Sequence, residues 1–196
     1  EATAHGVTMV HISTEYVFDG TQDVHLEDEA PSPLGAYGQS KAGGDAAVAS
    51  TPKHYIVRTS WVVGDGKNFL KTMASLAAQG TSPSVVSDQV GRLTFTSDLA
   101  RGIIHLLTTG AEFGTYNLSG EGPVMSWAQV AKRVFELCGR DPEDVTPVTT
   151  EEYFAGREVA PRPLSSVLDL TKIKATGFTP EDSSQHIDSY VASLRG

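Results

Sequence analysis

The sequence predicts an α/β protein built on a parallel sheet, and three observations carry that expectation. Short, β-rich apolar runs at residues 7–12 (VTMVHI) and His54–Thr59 (HYIVRT) alternate with helix-forming stretches at residues 36–50 and 68–78. The segments between them are polar and rich in Gly and Pro, as connections should be. After Asp141 the texture changes: residues 141–163 hold four prolines and several acidic residues, leaving room only for short elements. A Rossmann-like parallel part followed by a smaller α/β cap accounts for all three.

The elements follow in order. Residues 7–12, entered from Gly6 and stopped at Ser13-Thr14, read as a buried parallel strand. Open α/β sheets build their sites in the loops after such strands, so Thr14 to Phe18 fall where a site is expected. Residues 19–35 form a long surface loop, and loops of that length are more often functional than accidental. In the helix at 36–50 the alanines favour helix, whereas Gly38, Gly43 and Gly44 each cost about 1 kcal/mol relative to Ala and allow close packing. His54–Thr59 is a second strand, followed by a glycine-containing loop at 60–67 and a helix at 68–78. Ser97-Asp98 can cap a helix running to Leu107, and residues 114–119 (GTYNLS) make a third strand. Ser126 opens a helix over Trp127–Leu137 that Gly139 ends, and a last helix covers residues 184–194.

Composition narrows the partner. Hydrophobic residues make up 39% and charged residues 20%, the balance of a folded globular chain. The net charge of -9 argues against a general nucleic-acid binder, because phosphate neutralisation needs clustered Lys and Arg. A small-molecule ligand is favoured, an anionic one included. Cys138 is the single cysteine, in a pattern suiting a small buried residue on a helix, and the six histidines lack ligand spacing, so no metal is assigned. No apolar run is long enough to span a bilayer, and residues 1–6 lack the features of a signal peptide, which points to the cytoplasm. No GxGxxG-type turn exists to cradle a pyrophosphate. Gly64 to Asn68 (GDGKN) lacks the spacer and the Ser/Thr of a P-loop, and Gly38 to Ala42 (GQSKA) misses the last glycine of a GxSxG elbow.

The chemistry centres on Tyr37 and Lys41. Four residues apart on a helix, they share one face, where an ammonium stabilises a phenolate and makes the tyrosine a better acid or base. Thr14, at the end of the preceding strand, can hydrogen-bond a substrate carbonyl oxygen that Tyr37 protonates. Alone, a YxxxK spacing is a common coincidence. With a strand-end hydroxyl before it, the pattern becomes specific.

On these residues the chain resembles the dTDP-4-dehydrorhamnose reductase family of extended short-chain dehydrogenase/reductases. The resemblance runs through Ile12 to Gly20 (ISTEYVFDG), Tyr37 to Lys41 (YGQSK), Arg58 to Gly64 (RTSWVVG), Val86 to Gln89 (VSDQ), Thr96 to Ala100 (TSDLA), Gly114 to Gly120 (GTYNLSG) and Arg162-Pro163. It implies the C-terminal part of a Rossmann-like parallel sheet with a smaller α/β substrate-binding domain: residues 1–80 and 97–120 in the first, 81–96 and 121–196 in the second. It also implies reduction of the 4-keto group of dTDP-4-dehydro-L-rhamnose by NADPH, or by NADH, to give dTDP-L-rhamnose for polysaccharide. Tyr37 would give the proton, Lys41 would also hold the nicotinamide ribose, and Thr14 would orient the carbonyl. Glu15, Tyr16 and Trp61 would line the sugar pocket, Trp61 packing its flat face on the sugar ring.

The departures are specific. The family usually has Asp at the position of Glu15, often Tyr at Val63, and Gly-Glu at Gly44-Asp45. The first strands of the family fold, with their glycine-rich turn, are missing, so the chain is expected to be a piece of a longer protein, to bind NADPH weakly when isolated, and to be inactive alone. Family members can pair as homodimers, sometimes with Mg2+, though no ligand set here forces it. Two rival readings remain. Nucleotide-sugar epimerases and dehydratases share Thr/Tyr/Lys but usually carry Asn where Trp61 stands. The regulatory subunit of methionine adenosyltransferase resembles the family and works by association.

Overall fold

The computed structural model describes residues 1–194. In chain order the strands are β1 (Met9–Thr14), β2 (His54–Thr59), β3 (Val62–Val63), β4 (Ser84–Val86), β5 (Val90–Gly91), β6 (Thr94–Phe95), β7 (Gly114–Asn117), β8 (Met125–Ser126) and β9 (Thr146–Val148). The helices are α1 (Ala36–Ala49), α2 (Phe69–Ala78), α3 (Thr96–Thr109), α4 (Trp127–Leu137), α5 (Thr150–Phe154), α6 (Thr171–Ala175) and α7 (Ser183–Ser193). A three-stranded parallel sheet in the order β1-β2-β7 carries the first part, with Met9 opposite His54 and Thr14 opposite Thr59. This is the α/β parallel arrangement expected.

Two larger cores carry most of the packing, beside a small cluster of Val17, Phe18 and Leu168. One lies on the sheet, where Tyr55, Val57 and Tyr116 meet Leu99 and Leu106 of α3 and Leu170, Ile173 and Phe178 of the α6 region. The other joins α2, α4 and α7 through Leu70, Met73, Ala131, Val134, Phe135, Ile187 and Val191, with Val85 of β4. The small strand pairs β3-β6, β4-β9 and β5-β8 lie outside the main sheet.

One expectation needs correction. Residues 7–12 read as a buried strand, but β1 begins at Met9, and Val7, Met9 and Ile12 are exposed. β1 is the edge of the three-stranded sheet, with β2 on one side, and these apolar side chains stay open on the faces of that edge. Cys138 likewise caps α4 half-buried rather than sitting inside it. The helix at Ser97-Asp98 starts one residue earlier, at Thr96, with no side-chain cap; Asp98 instead turns inward and accepts the Glu181 backbone N–H at 3.1 Å.

Side-chain caps fix the starts of α2, α4, α5 and α7. The Gly64–Asn68 loop is a helix entrance: Asn68 Oδ1 accepts from Lys71 N, while its amide donates to the carbonyl of Gly64. At α4, Ser126 Oγ accepts from Gln129 N at 3.2 Å and Gln129 Oε1 accepts from Ser126 N at 2.7 Å, a reciprocal capping box. Ser126→Ala is expected to cost about 1 kcal/mol, read as a lower urea midpoint at unchanged slope. Among the described residues no helix is long and apolar enough to cross a membrane.

Candidate functional site

The site grows from the C-terminal end of β1. There the chain leaves the strand at Thr14 and makes a single 3-10 turn, Glu15–Val17, whose cap is the Thr14 hydroxyl accepting from Tyr16 N at 3.2 Å. Helix α1 docks directly on this turn. Gly38 makes that approach feasible: a Cβ there would lie 2.1 Å from the Tyr16 carbonyl oxygen, so only glycine fits. The close docking sets the Tyr37 ring edge-on to Tyr16, with centroids 5.8 Å apart at 79°. One turn further on, Lys41 Nζ donates to the Ile12 carbonyl at 2.5 Å, which holds its ammonium over the end of β1.

A buried ion pair presses α1 onto the sheet. Arg58 of β2 donates from Nε to Asp45 Oδ2 of α1 at 3.1 Å, and both side chains are buried. The same guanidinium donates to the Glu27 carbonyl at 3.0 Å and lies 5.0 Å over the Phe18 ring. Phe18 in turn stacks on His25, whose Nδ1 meets the Glu29 carboxylate at 2.9 Å. The loop at 19–35 is therefore tied down from beneath. From the far end of the sequence it is strapped as well: His25 N donates to the Val167 carbonyl, and Ser165 Oγ to the Asp23 carbonyl.

These constraints bring Thr14, Glu15, Tyr16, Tyr37, Lys41 and Trp61 to the wall of one cleft of about 350 Å³. All six residues singled out in the sequence meet there. Ser13, Thr59, Ser60 and Trp127 also line it. Trp61 adopts φ 46°, a left-handed conformation unusual for so large a residue and worth roughly 1–3 kcal/mol of strain. Its ring stacks on Trp127 with centroids 3.7 Å apart and planes 15° from parallel. One face of Trp61 is thus already covered, so a ligand meets an indole pair rather than a lone ring.

Trp127 also lines a wider neighbouring groove of about 690 Å³, with Phe69, Tyr153, Phe154, Arg157 and Arg162. Beside it Tyr16, Tyr37, Arg162 and Pro163 bound a smaller hollow of about 150 Å³. The sequence marks Trp127 only as the start of a helix. Its placement at the first turn after a capping box was the available signal, since such a residue stands at the mouth of a helix.

The electrostatics concentrate on Glu15. Burial pushes its carboxyl up to about 7 from 4.5, opposed by hydrogen bonds from Thr14, its own backbone and Ser166. Thr14 Oγ1 donates to Glu15 Oε2 at 2.7 Å. Because the folded value lies above the ordinary one, the folded chain holds this proton more tightly than the unfolded chain does. The group's contribution to stability is therefore fully present below about pH 4.5 and is lost as pH rises to about 7. The Tyr16 phenol is raised as well, by burial first, with the neighbouring Arg162 guanidinium pulling the other way. Glu15, a lining residue of the cleft, receives the Thr14 hydroxyl proton on its Oε2.

The chain matches the family model described as RmlD substrate binding domain over residues 1–195. It is similar to the dTDP-4-dehydrorhamnose reductase of Mycolicibacterium smegmatis (strain ATCC 700084 / mc(2)155), with 37% identity over 194 residues, covering 96% of this chain and 58% of that protein. Among solved structures, the dTDP-4-dehydrorhamnose reductase ortholog of Clostridium acetobutylicum ATCC 824 superimposes with a TM-score of 0.89 at 37% identity, over 100% of this chain and 69% of that one. The dTDP-4-dehydrorhamnose reductase of Bacillus anthracis str. Ames in complex with NADP gives 0.86 at 35%, over 98% and 68%. The chain thus spans 58% of the length of its M. smegmatis relative. With the family model matched almost from end to end and both cores and the cleft inside the superimposed part, the chain belongs to the RmlD substrate binding domain family.

Proposed function

We propose that this chain is the part of an NADPH-dependent nucleotide-sugar reductase that carries the proton-donating residues, acting on the 4-keto group of dTDP-4-dehydro-L-rhamnose to give dTDP-L-rhamnose. The observation that carries this reading is the meeting of Thr14, Tyr37 and Lys41 on one cleft wall, in a chain whose relatives bear that enzyme name.

The cleft suits the nicotinamide end of the cofactor. Tyr37 and Lys41 both line it, and a phenol hydroxyl with an ammonium complements ribose hydroxyls. When bound, NADPH supplies a hydride to the carbonyl carbon. Tyr37 gives its proton to the carbonyl oxygen as charge develops there, leaving a phenolate that Lys41 stabilises until solvent restores the proton. Thr14 orients the carbonyl. Arg157 and Arg162 in the adjoining groove fit a diphosphate, and Phe69, Trp127 and Tyr153 offer flat surfaces for a base. We assign residues 1–80 and 97–120 to the cofactor-side domain and 81–96 and 121–196 to the substrate domain, with α2 packing across onto the α4-α7 core and α6 onto the sheet core.

The exposed edge of β1 supports the idea that further strands of the same polypeptide complete the sheet and bring the pyrophosphate cradle this sequence does not contain. Within its full-length polypeptide the protein is expected to oxidise NADPH only when dTDP-4-dehydro-L-rhamnose is present. Residues 1–196 alone are expected to bind NADPH weakly and to turn over nothing. Absence of NADPH oxidation by the full-length protein, or micromolar NADPH affinity of the 196-residue chain by calorimetry, overturns the proposal.

A further inference from the structure

We infer that Glu15 is a positioning residue whose protonation state decides which way the Thr14 hydroxyl points, toward Glu15 or into the cleft. The consequence for turnover rests on the reductase reading above; the coupling itself rests on geometry.

A threonine hydroxyl has one proton to give and two lone pairs to receive with. Thr14 gives its proton to Glu15 Oε2 at 2.7 Å and uses one lone pair for Tyr16 N at 3.2 Å. In that arrangement the side of Oγ1 facing the cleft can accept a hydrogen bond and cannot donate one. A substrate carbonyl oxygen needs a donor. When Glu15 carries a proton, the donation reverses: Glu15 gives to Oγ1, Tyr16 N occupies the other lone pair, and the threonine proton turns to the cleft. No proton leaves Glu15 in the reaction, since Tyr37 supplies the one that ends on the product.

The surroundings make this a two-position device. Glu15 and Thr14 are buried at 4% and 6% exposure, so water does not take over either hydrogen bond. From its own turn Glu15 is faced by Tyr16, and from the strap after Pro163 by the Ser166 hydroxyl. Helix α1 brings Tyr37 and Lys41 to the cleft, the β2-β3 connection brings Thr59, Ser60 and Trp61, and α4 brings Trp127. The Arg162 guanidinium acts on the neighbouring Tyr16.

Two measurements decide the matter, one independent of turnover. Infrared titration of the folded chain is expected to show a protonated carboxyl band that fades as pH rises through about 7 and is absent from Glu15→Gln. In Thr14→Val the fading is expected at higher pH, because the threonine bond favours the ionised form. An absent band in the parent, or a midpoint unmoved by Thr14→Val, overturns the inference.

In the full-length protein, kcat is expected to fall roughly tenfold per pH unit above the midpoint. Glu15→Gln, whose amide donates permanently to Thr14, is expected to abolish that limb, so that kcat, whatever its plateau, no longer falls with pH above the midpoint. Glu15→Asp, which keeps a carboxyl, is expected to retain a limb. The same limb in Glu15→Gln as in the parent overturns the inference. If the parent turns over no substrate at any pH, the reductase reading fails and the infrared titration still decides the coupling.

Discussion

Tyr37→Phe is expected to lower kcat for ketone reduction by about two to four orders of magnitude in the full-length protein, with KM nearly unchanged. The substitution removes one hydroxyl and leaves the ring. Tyr37 is more than half exposed, and its edge contact with Tyr16 is made by the ring, so Phe keeps the packing. Stability is expected to change by less than about 0.5 kcal/mol, as for other surface substitutions. Stopped-flow measurement of NADPH oxidation, beside a thermal melt, checks both halves. A folded Phe variant retaining more than a tenth of parental kcat would remove Tyr37 from the role of proton donor.

The largest effect on stability is expected at Arg58. Arg58→Met leaves the Asp45 carboxylate buried without its guanidinium, facing His11 Nε2 at 3.4 Å with no hydrogen bond between them. Breaking a buried pair from one side costs about 3–5 kcal/mol, because the remaining charge stays desolvated. Replacing both partners, Arg58→Met with Asp45→Leu, is expected to recover most of that loss, since a buried pair gives little net stability over well-packed apolar side chains. Urea unfolding at unchanged slope measures both variants. Equal losses in the single and double variants would mean that the other contacts of Arg58, to the Glu27 carbonyl and the Phe18 ring, carry the effect.

Where the sequence carried both a periodic pattern and a local stop signal, the structure agrees closely. His54–Thr59 is found at its expected bounds, and so is Trp127–Leu137, whose capping residue Ser126 and terminating Gly139 mark both ends. The strands β4, β5, β8 and β9 were not foreseen, because two or three residues have no periodicity and these exist only through partners far along the chain. Burial of β1 was misjudged for a related reason: an apolar strand is buried only if something lies against it, and a strand's own residues do not say what does.

The site divides the same way. Tyr37 and Lys41 were legible from helical spacing, and Thr14 from its place at a strand end. Trp127 offered only its place after a capping box, and Ser166 offered nothing, since its bond to Glu15 is a product of the tertiary fold. The reach of Trp61 was legible as a flat surface but not its partner, nor its left-handed backbone.

The strap from Pro163 to Leu170 also sets an order of assembly. Ser165 Oγ bonds the carbonyl of Asp23, 142 residues earlier, and Ser166 acts on Glu15. Closing loops of that span is slow compared with forming a helix, and domains form from the N-terminal side during synthesis. On the ribosome the sheet and α1 have all their residues long before the strap emerges. Until then Glu15 and the loop at 19–35 are open to water, and the nascent chain presents Thr14, Tyr37 and Lys41 without the cover that gives Glu15 its unusual proton affinity.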